Sequence, residues 1–78
     1  MEQYVRNYFL AEYNLLSVLL ESGLAWTNVN ETCNYALQRC LGVAQFVQAC
    51  GDDSLTFEMA EALYNEVKEK IENLRFSY

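Results

Sequence analysis

The 78-residue chain contains no histidine and no proline, and only three glycines. Histidine is the one side chain whose unperturbed charge changes near neutral pH, so its absence excludes histidine-based acid–base catalysis and histidine metal sites. Proline and glycine are the residues that most often interrupt a helix. We therefore expect a helical protein. The carboxylates form no credible acid–base pair and no glycine-rich phosphate loop is present, so we also expect it to be non-enzymatic.

Basic residues are also scarce. Five Lys and Arg stand against eleven Asp and Glu, which gives a formal net charge of −6. This balance opposes binding to bare nucleic acid or to an anionic membrane surface. We expect no direct nucleic-acid or membrane partner, and a protein with a basic surface is the easier electrostatic match.

Long apolar runs are missing as well. No run approaches the about 18 apolar residues that indicate a membrane span, and the start MEQYVRNYFLAEYNLL lacks the basic and apolar regions of a signal peptide. We expect a cytoplasmic protein that forms one domain over residues 1–78. Domains of this size often depend on a staple or on self-association.

The three cysteines, Cys33, Cys40 and Cys50, lie in one stretch of the chain. Three cysteines are one too few for a four-cysteine zinc site, and these lack its close pairs. Cys33 and Cys40 would lie about 10 Å apart along a helix, which is too far for a disulfide. They are predicted to be small core residues, and no metal or cofactor is expected.

Apolar periodicity predicts an all-α three-helix bundle. Gly23 suits the left-handed position after the first helix. Asn28 is the expected N-cap of the second helix, in a capping box in which the Glu31 side chain reaches back to it, with Thr27 or Asn30 as alternative caps. Thr56 is the expected N-cap of the third helix. The predicted helices cover about 2–22, 29–50 and 57–75.

The first helix has an apolar arc of about 220° when residues are projected at about 100° each, wider than a surface helix needs. Glu12 lies near the middle of that arc. A carboxylate in such a place must find a partner, shift its pKa or reach solvent. The arc predicts a helix covered on two sides.

The second helix carries apolar residues on two opposite sides. Its cysteine side predicts close packing in the core. The opposite side, which we call the seam, repeats at spacings of four and three and contains Tyr35, Arg39, Gly42, Phe46 and Ala49. Two interpretations remain open: the third helix covers the seam, or another chain does. That other chain is either a different partner protein or a second copy, in a homo-oligomer for which a dimer is favoured.

Glu12 and Arg39 are each the charged member of an otherwise apolar face. If those faces meet, the two side chains can form a hydrogen-bonded ion pair that determines the register of the helices. The sequence leaves open whether they would meet within one chain or across a dimer.

The third helix has a clean polar side made of glutamates. It is either a solvated face or a surface that binds a basic groove in competition with nucleic acid. This acidic arc contains Glu58, Glu61, Glu66, Glu69 and Glu72, and Asp52 and Asp53 could extend it.

In size, acidity and lack of catalytic residues, the chain resembles small phage and prophage accessory proteins, including anti-CRISPR proteins. The resemblance is one of general character and covers no motif. It implies a non-enzymatic, phage-encoded inhibitor that acts in a bacterial host on a nucleic-acid-handling protein. The sequence also allows a structural homo-oligomer, or a nucleotide-binding sponge in which Tyr8, Tyr35 or Trp26 stacks a base.

Overall fold

The structure is a computed structural model that describes residues 2–23, 28–50 and 55–77. These residues form three α-helices and no strand: α1 (Glu2–Ser22), α2 (Val29–Ala49) and α3 (Phe57–Phe76). The predicted all-α three-helix bundle is confirmed, and each predicted helix boundary agrees to within one residue.

The residues at the helix ends explain this agreement. Gly23 has a positive φ of 77°, the left-handed conformation that glycine adopts without strain. The Asn28 side chain accepts a hydrogen bond from the Glu31 amide at 2.9 Å, and the Thr56 hydroxyl accepts one from the Met59 amide at 3.2 Å. Both contacts satisfy amides that have no partner within the helix. The predicted return contact from the Glu31 carboxylate is absent, because that group accepts from the Tyr35 hydroxyl instead.

Every pair of helices is in contact, and the bundle measures 40 × 17 × 17 Å. Among the described residues, the buried set contains no polar or charged side chain. Cys33 and Cys40 belong to it, as their small size predicts. The core consists of Val5, Phe9, Leu16, Leu20, Cys33, Ala36, Leu37, Cys40, Ala44, Val47, Leu55, Ala60, Leu63, Val67 and Ile71.

Among residues 2–23, 28–50 and 55–77, this packing leaves a large surface of the α1–α2 pair that no third helix covers. Because α3 contacts both α1 and α2, it occupies one side of the α1–α2 pair. The other side of that pair faces away from α3. The seam of α2 lies there.

Candidate interaction surfaces

The seam of α2 is exposed in the single chain. Tyr35 and Phe46 have 51% and 70% of their surface in solvent. Ala49 is also exposed, and a Cβ added at Gly42 would meet no atom within 4 Å. The interpretation in which α3 covers the seam is therefore wrong. Helix α3 packs on the side of α2 that carries Leu41 and Ala44, which faces away from the seam.

Helix α1 adds a second exposed apolar strip beside the seam. Tyr4, Leu15 and Val18 are all more than half exposed, and they fall within about 60° of one another on a helical projection. Tyr4 lines the groove between α1 and α2 together with Phe46. We call the surface made by Tyr4, Leu15, Val18 and the seam the α1–α2 face.

The sequence singled out the seam but not the α1 strip as a surface. The available signal was the width of the α1 apolar arc, which exceeds what α2 and α3 can cover. Periodicity alone did not show which part of that arc stays in solvent.

The groove between α1 and α2 has a volume of about 360 Å³, against about 170 Å³ and 190 Å³ for the α1–α3 and α2–α3 grooves. It opens onto the α1–α2 face, and the exposed rings of Tyr4 and Phe46 line it. Its lining residues are Tyr4, Tyr8, Arg39, Gly42, Val43, Phe46 and Val47.

Glu12 and Arg39 join α1 to α2 at the centre of this face. Arg39 donates from Nε to Glu12 Oε1 and from Nη2 to Glu12 Oε2, both at 2.9 Å. The Tyr8 hydroxyl also donates to Glu12 Oε1, at 3.0 Å. The Glu12 side chain is 11% exposed and that of Arg39 is 49% exposed. The pair therefore forms within one chain, with its carboxylate inside and its guanidinium outside.

The contacts among these groups determine their protonation. The hydrogen bonds from Arg39 lower the pKa of the Glu12 carboxyl, against the opposing effect of burial, and Tyr8 lowers it further. The same contact raises the pKa of the Arg39 guanidinium. Burial and the bond to Glu12 raise the pKa of Tyr8. At neutral pH, Glu12 is thus a carboxylate held by a charged donor and a neutral one.

The Arg39 guanidinium can also stack on an aromatic ring while it is bonded to Glu12. Glu12 occupies the Nε and Nη2 positions, and about half of the Arg39 side chain stays exposed to solvent. Such a group stacks well on an aromatic ring. The ion pair therefore presents an oriented cation to whatever binds the face.

The two tyrosines proposed to stack a nucleotide base lie on this side of the bundle, and each hydroxyl donates a hydrogen bond. The hydroxyl of Tyr8 is bonded to Glu12, and that of Tyr35 donates to Glu31 Oε1 at 2.7 Å. Trp26, the third candidate, lies outside the described residues.

The acidic arc lies on the outer side of α3. Glu66 lies 3.6 Å from Arg6, and Glu72 lies 3.5 Å from Arg75 and is partly buried. Glu58, Glu61 and Glu69 are exposed and form no ion pair with any described residue. The uncompensated part of the arc therefore runs along the solvent side of α3. Asp52 and Asp53, its predicted extension, lie outside the described residues.

The thiols provide little chemistry. Burial, with a smaller effect of the nearby Glu12 carboxylate, raises the pKa of Cys40 to about 11. Cys33 is also buried, whereas Cys50 is exposed at the end of α2. Across residues 2–23, 28–50 and 55–77, no three His, Cys, Asp or Glu side chains are grouped so that they could hold a metal ion.

Comparisons with protein-family models, curated proteins and solved structures find no match to this chain. Within the described part of the chain, no helix has both the length and the hydrophobicity that crossing a membrane requires.

Proposed function

We propose that the chain is a non-enzymatic protein-binding module whose binding surface is the α1–α2 face. The observation that supports this is the exposure of Tyr4, Tyr35 and Phe46, at 56%, 51% and 70%, around the Glu12–Arg39 ion pair. Large exposed apolar patches with polar groups among them are characteristic of protein interaction sites.

The composition of the face favours a protein partner. Tyrosine, phenylalanine and arginine are enriched in protein interfaces, and tyrosine and arginine are common among the residues that dominate binding energy. Arg39 is held by Glu12, so less side-chain entropy is lost when a partner contacts it. A preorganised cation among exposed rings is well suited to bind a partner with an apolar patch and an acceptor or ring at its centre.

A pair of single-residue variants tests this assignment. Phe46→Asp places a charge on the α1–α2 face, and Phe57→Asp places the same charge on an equally apolar, 61% exposed side chain in the α2–α3 groove. Both variants should retain the helical circular dichroism of the wild type. Affinity capture from the source cells should recover a protein with the wild type and Phe57→Asp, but not with Phe46→Asp. Equal capture by both variants would contradict the assignment.

A second function is supported by the uncompensated carboxylates of α3. We propose that the acidic arc binds the basic surface of a nucleic-acid-handling protein and inhibits it, as an anti-CRISPR-like phage inhibitor would. Glu58, Glu61 and Glu69 are exposed and form no ion pair with a described residue, so their attraction for a basic groove is available to a partner.

Charge reversal on α3 tests the inhibitor hypothesis. Wild-type protein should inhibit DNA cleavage by a member of a panel of RNA-guided nucleases, and added salt should weaken the effect. Changing Glu58, Glu61 and Glu69 together to lysine should abolish inhibition, while the same three changes to glutamine should reduce it less. Glu21→Lys, on α1, is the control. Inhibition that survives the triple reversal would reject the acidic arc as the binding surface.

A further inference from the structure

The seam of α2 is complementary to itself about Gly42. Tyr35 lies seven residues before Gly42 and Ala49 seven residues after it. If two copies of α2 pack antiparallel with a two-fold axis at Gly42, each Tyr35 comes level with the small Ala49 of the other copy. The two glycines then meet at the axis, where the helices are closest and where each has open space beside it.

The same arrangement provides a partner for Arg39. Arg39 lies three residues before Gly42 and Phe46 four residues after it, so antiparallel packing brings Arg39 of one copy close to Phe46 of the other. Glu12 holds the guanidinium by one edge, and the half-exposed side chain can stack on that ring. A two-fold interface makes each such contact twice.

The charge and area of the face also suit a second copy. The Glu12–Arg39 pair neutralises itself at the centre, while the acidic arc lies on the outer side of α3, away from this face. At about 200 Å² per aromatic side chain, the exposed parts of Tyr4, Tyr35 and Phe46 amount to about 350 Å². A standard interface takes about 800 Å² from each partner, so the three rings supply nearly half of what a stable dimer needs.

We propose that the partner of the α1–α2 face is a second copy of this chain, bound through antiparallel α2 helices on a two-fold axis at Gly42. The proposal rests on the binding function assigned to that face above. The Leu15 and Val18 strip of α1 lies beside the seam and would be covered by the same partner.

Substitutions at Gly42 test the interface, because they should change the stability of the monomer and the strength of dimerisation in opposite directions. Gly42→Ala should raise the melting temperature of the monomer, because alanine favours the helix and its methyl meets nothing. It should nevertheless weaken dimerisation in sedimentation equilibrium. Gly42→Glu should weaken it at least tenfold, and Asn65→Glu, which adds the same charge at an exposed position of α3, should leave the dimerisation constant within twofold.

Disulfide trapping tests the position of the axis. In a Cys50→Ser background the remaining thiols, Cys33 and Cys40, are buried. Gly42→Cys should then give a disulfide-linked dimer under mild oxidation, while Gln45→Cys should not, because only residues at the axis bring their own copies within the about 4.4–6.8 Å Cα separation of a disulfide. Equal cross-linking of the two variants would overturn the proposed axis.

The outcomes separate this proposal from the binding function on which it rests. A wild type that stays monomeric at millimolar concentration, with capture still lost in Phe46→Asp, overturns the dimer and retains the binding face. Capture that is indifferent to Phe46→Asp overturns the binding face itself. The salt dependence of dimerisation is an independent test. Each copy carries a net charge of −6, so added salt should screen the repulsion between copies and strengthen the dimer. A dimer that weakens steadily as salt is added would contradict the arrangement.

Discussion

Replacing Arg39 by methionine should destabilise the bundle more than replacing Glu12 by glutamine, although both changes break the same ion pair. The reason is unequal burial: the Glu12 side chain is 11% exposed and the Arg39 side chain 49% exposed. Without Arg39, a nearly buried carboxylate keeps only the hydrogen bond from Tyr8. Without the Glu12 charge, the guanidinium turns to water.

The magnitudes follow from the same geometry. Leaving a buried charge unpaired costs about 3–5 kcal/mol when burial is complete, and an exposed ion pair contributes at most about 1 kcal/mol. We expect the free energy of unfolding to fall by about 2–3 kcal/mol in Arg39→Met and by about 1 kcal/mol in Glu12→Gln. The coupling energy between the two sites, taken from the double variant, should be about 1–2 kcal/mol. For a domain of this size, the Arg39→Met value corresponds to a fall in Tm of about 10–20 °C.

The assay is urea unfolding followed by circular dichroism, on the wild type, both single variants and the double variant. Protein concentration is kept low enough that the midpoint no longer depends on it, because Arg39 also lies in the proposed dimer interface. Equal costs for the two single variants, or a coupling below about 0.5 kcal/mol, would refute the argument from unequal burial.

Acid should remove the contribution of this pair. Because the folded-state pKa of Glu12 is lowered below its ordinary value of 4.5, the pair stabilises the fold fully above that value and loses its effect as pH falls through the lowered pKa. The difference in unfolding free energy between wild type and Glu12→Gln should therefore be constant near neutral pH and shrink in acid. A difference that grows in acid would contradict the assigned direction.

Two further outcomes test the packing of the core and its surface. Of the three thiols, Cys50 should react quickly with a thiol reagent at neutral pH, while Cys33 and Cys40 should react only as the protein unfolds; rapid reaction of all three would contradict their burial. Ile71→Ala, at a fully buried position, should cost about 2–5 kcal/mol in urea unfolding, whereas Phe76→Ala, on an exposed ring, should stay within about 0.5 kcal/mol. Similar costs for these two variants would contradict the placement of α3.

The helices could be predicted closely because local chemistry marks their ends. Gly23, Asn28 and Thr56 each satisfy a requirement of the backbone within a few residues, so tertiary contacts are not needed to find them. The apolar side of α3 was equally clear, because one face is aliphatic and the other is charged.

The surfaces were harder to predict, because periodicity reports which side of a helix is apolar and not what covers it. The spacing from Tyr35 to Phe46 is the same whether α3 or another chain packs there. Likewise, Glu12 and Arg39 were recognisable as charges on apolar faces, but their unequal burial depends on how α1 and α2 are rotated against each other. That rotation is a property of the assembled bundle.

The acidic arc and the α1–α2 face lie on opposite sides of the bundle, and this placement determines how many binding sites a dimer would present to a basic partner. Two copies joined through their α1–α2 faces would turn both acidic arcs outward, at opposite ends of the assembly. Such a particle would have two equivalent anionic docking sites and would bind a multisite basic partner with avidity, as linked sites do. One small chain would then bridge two partners without a second domain.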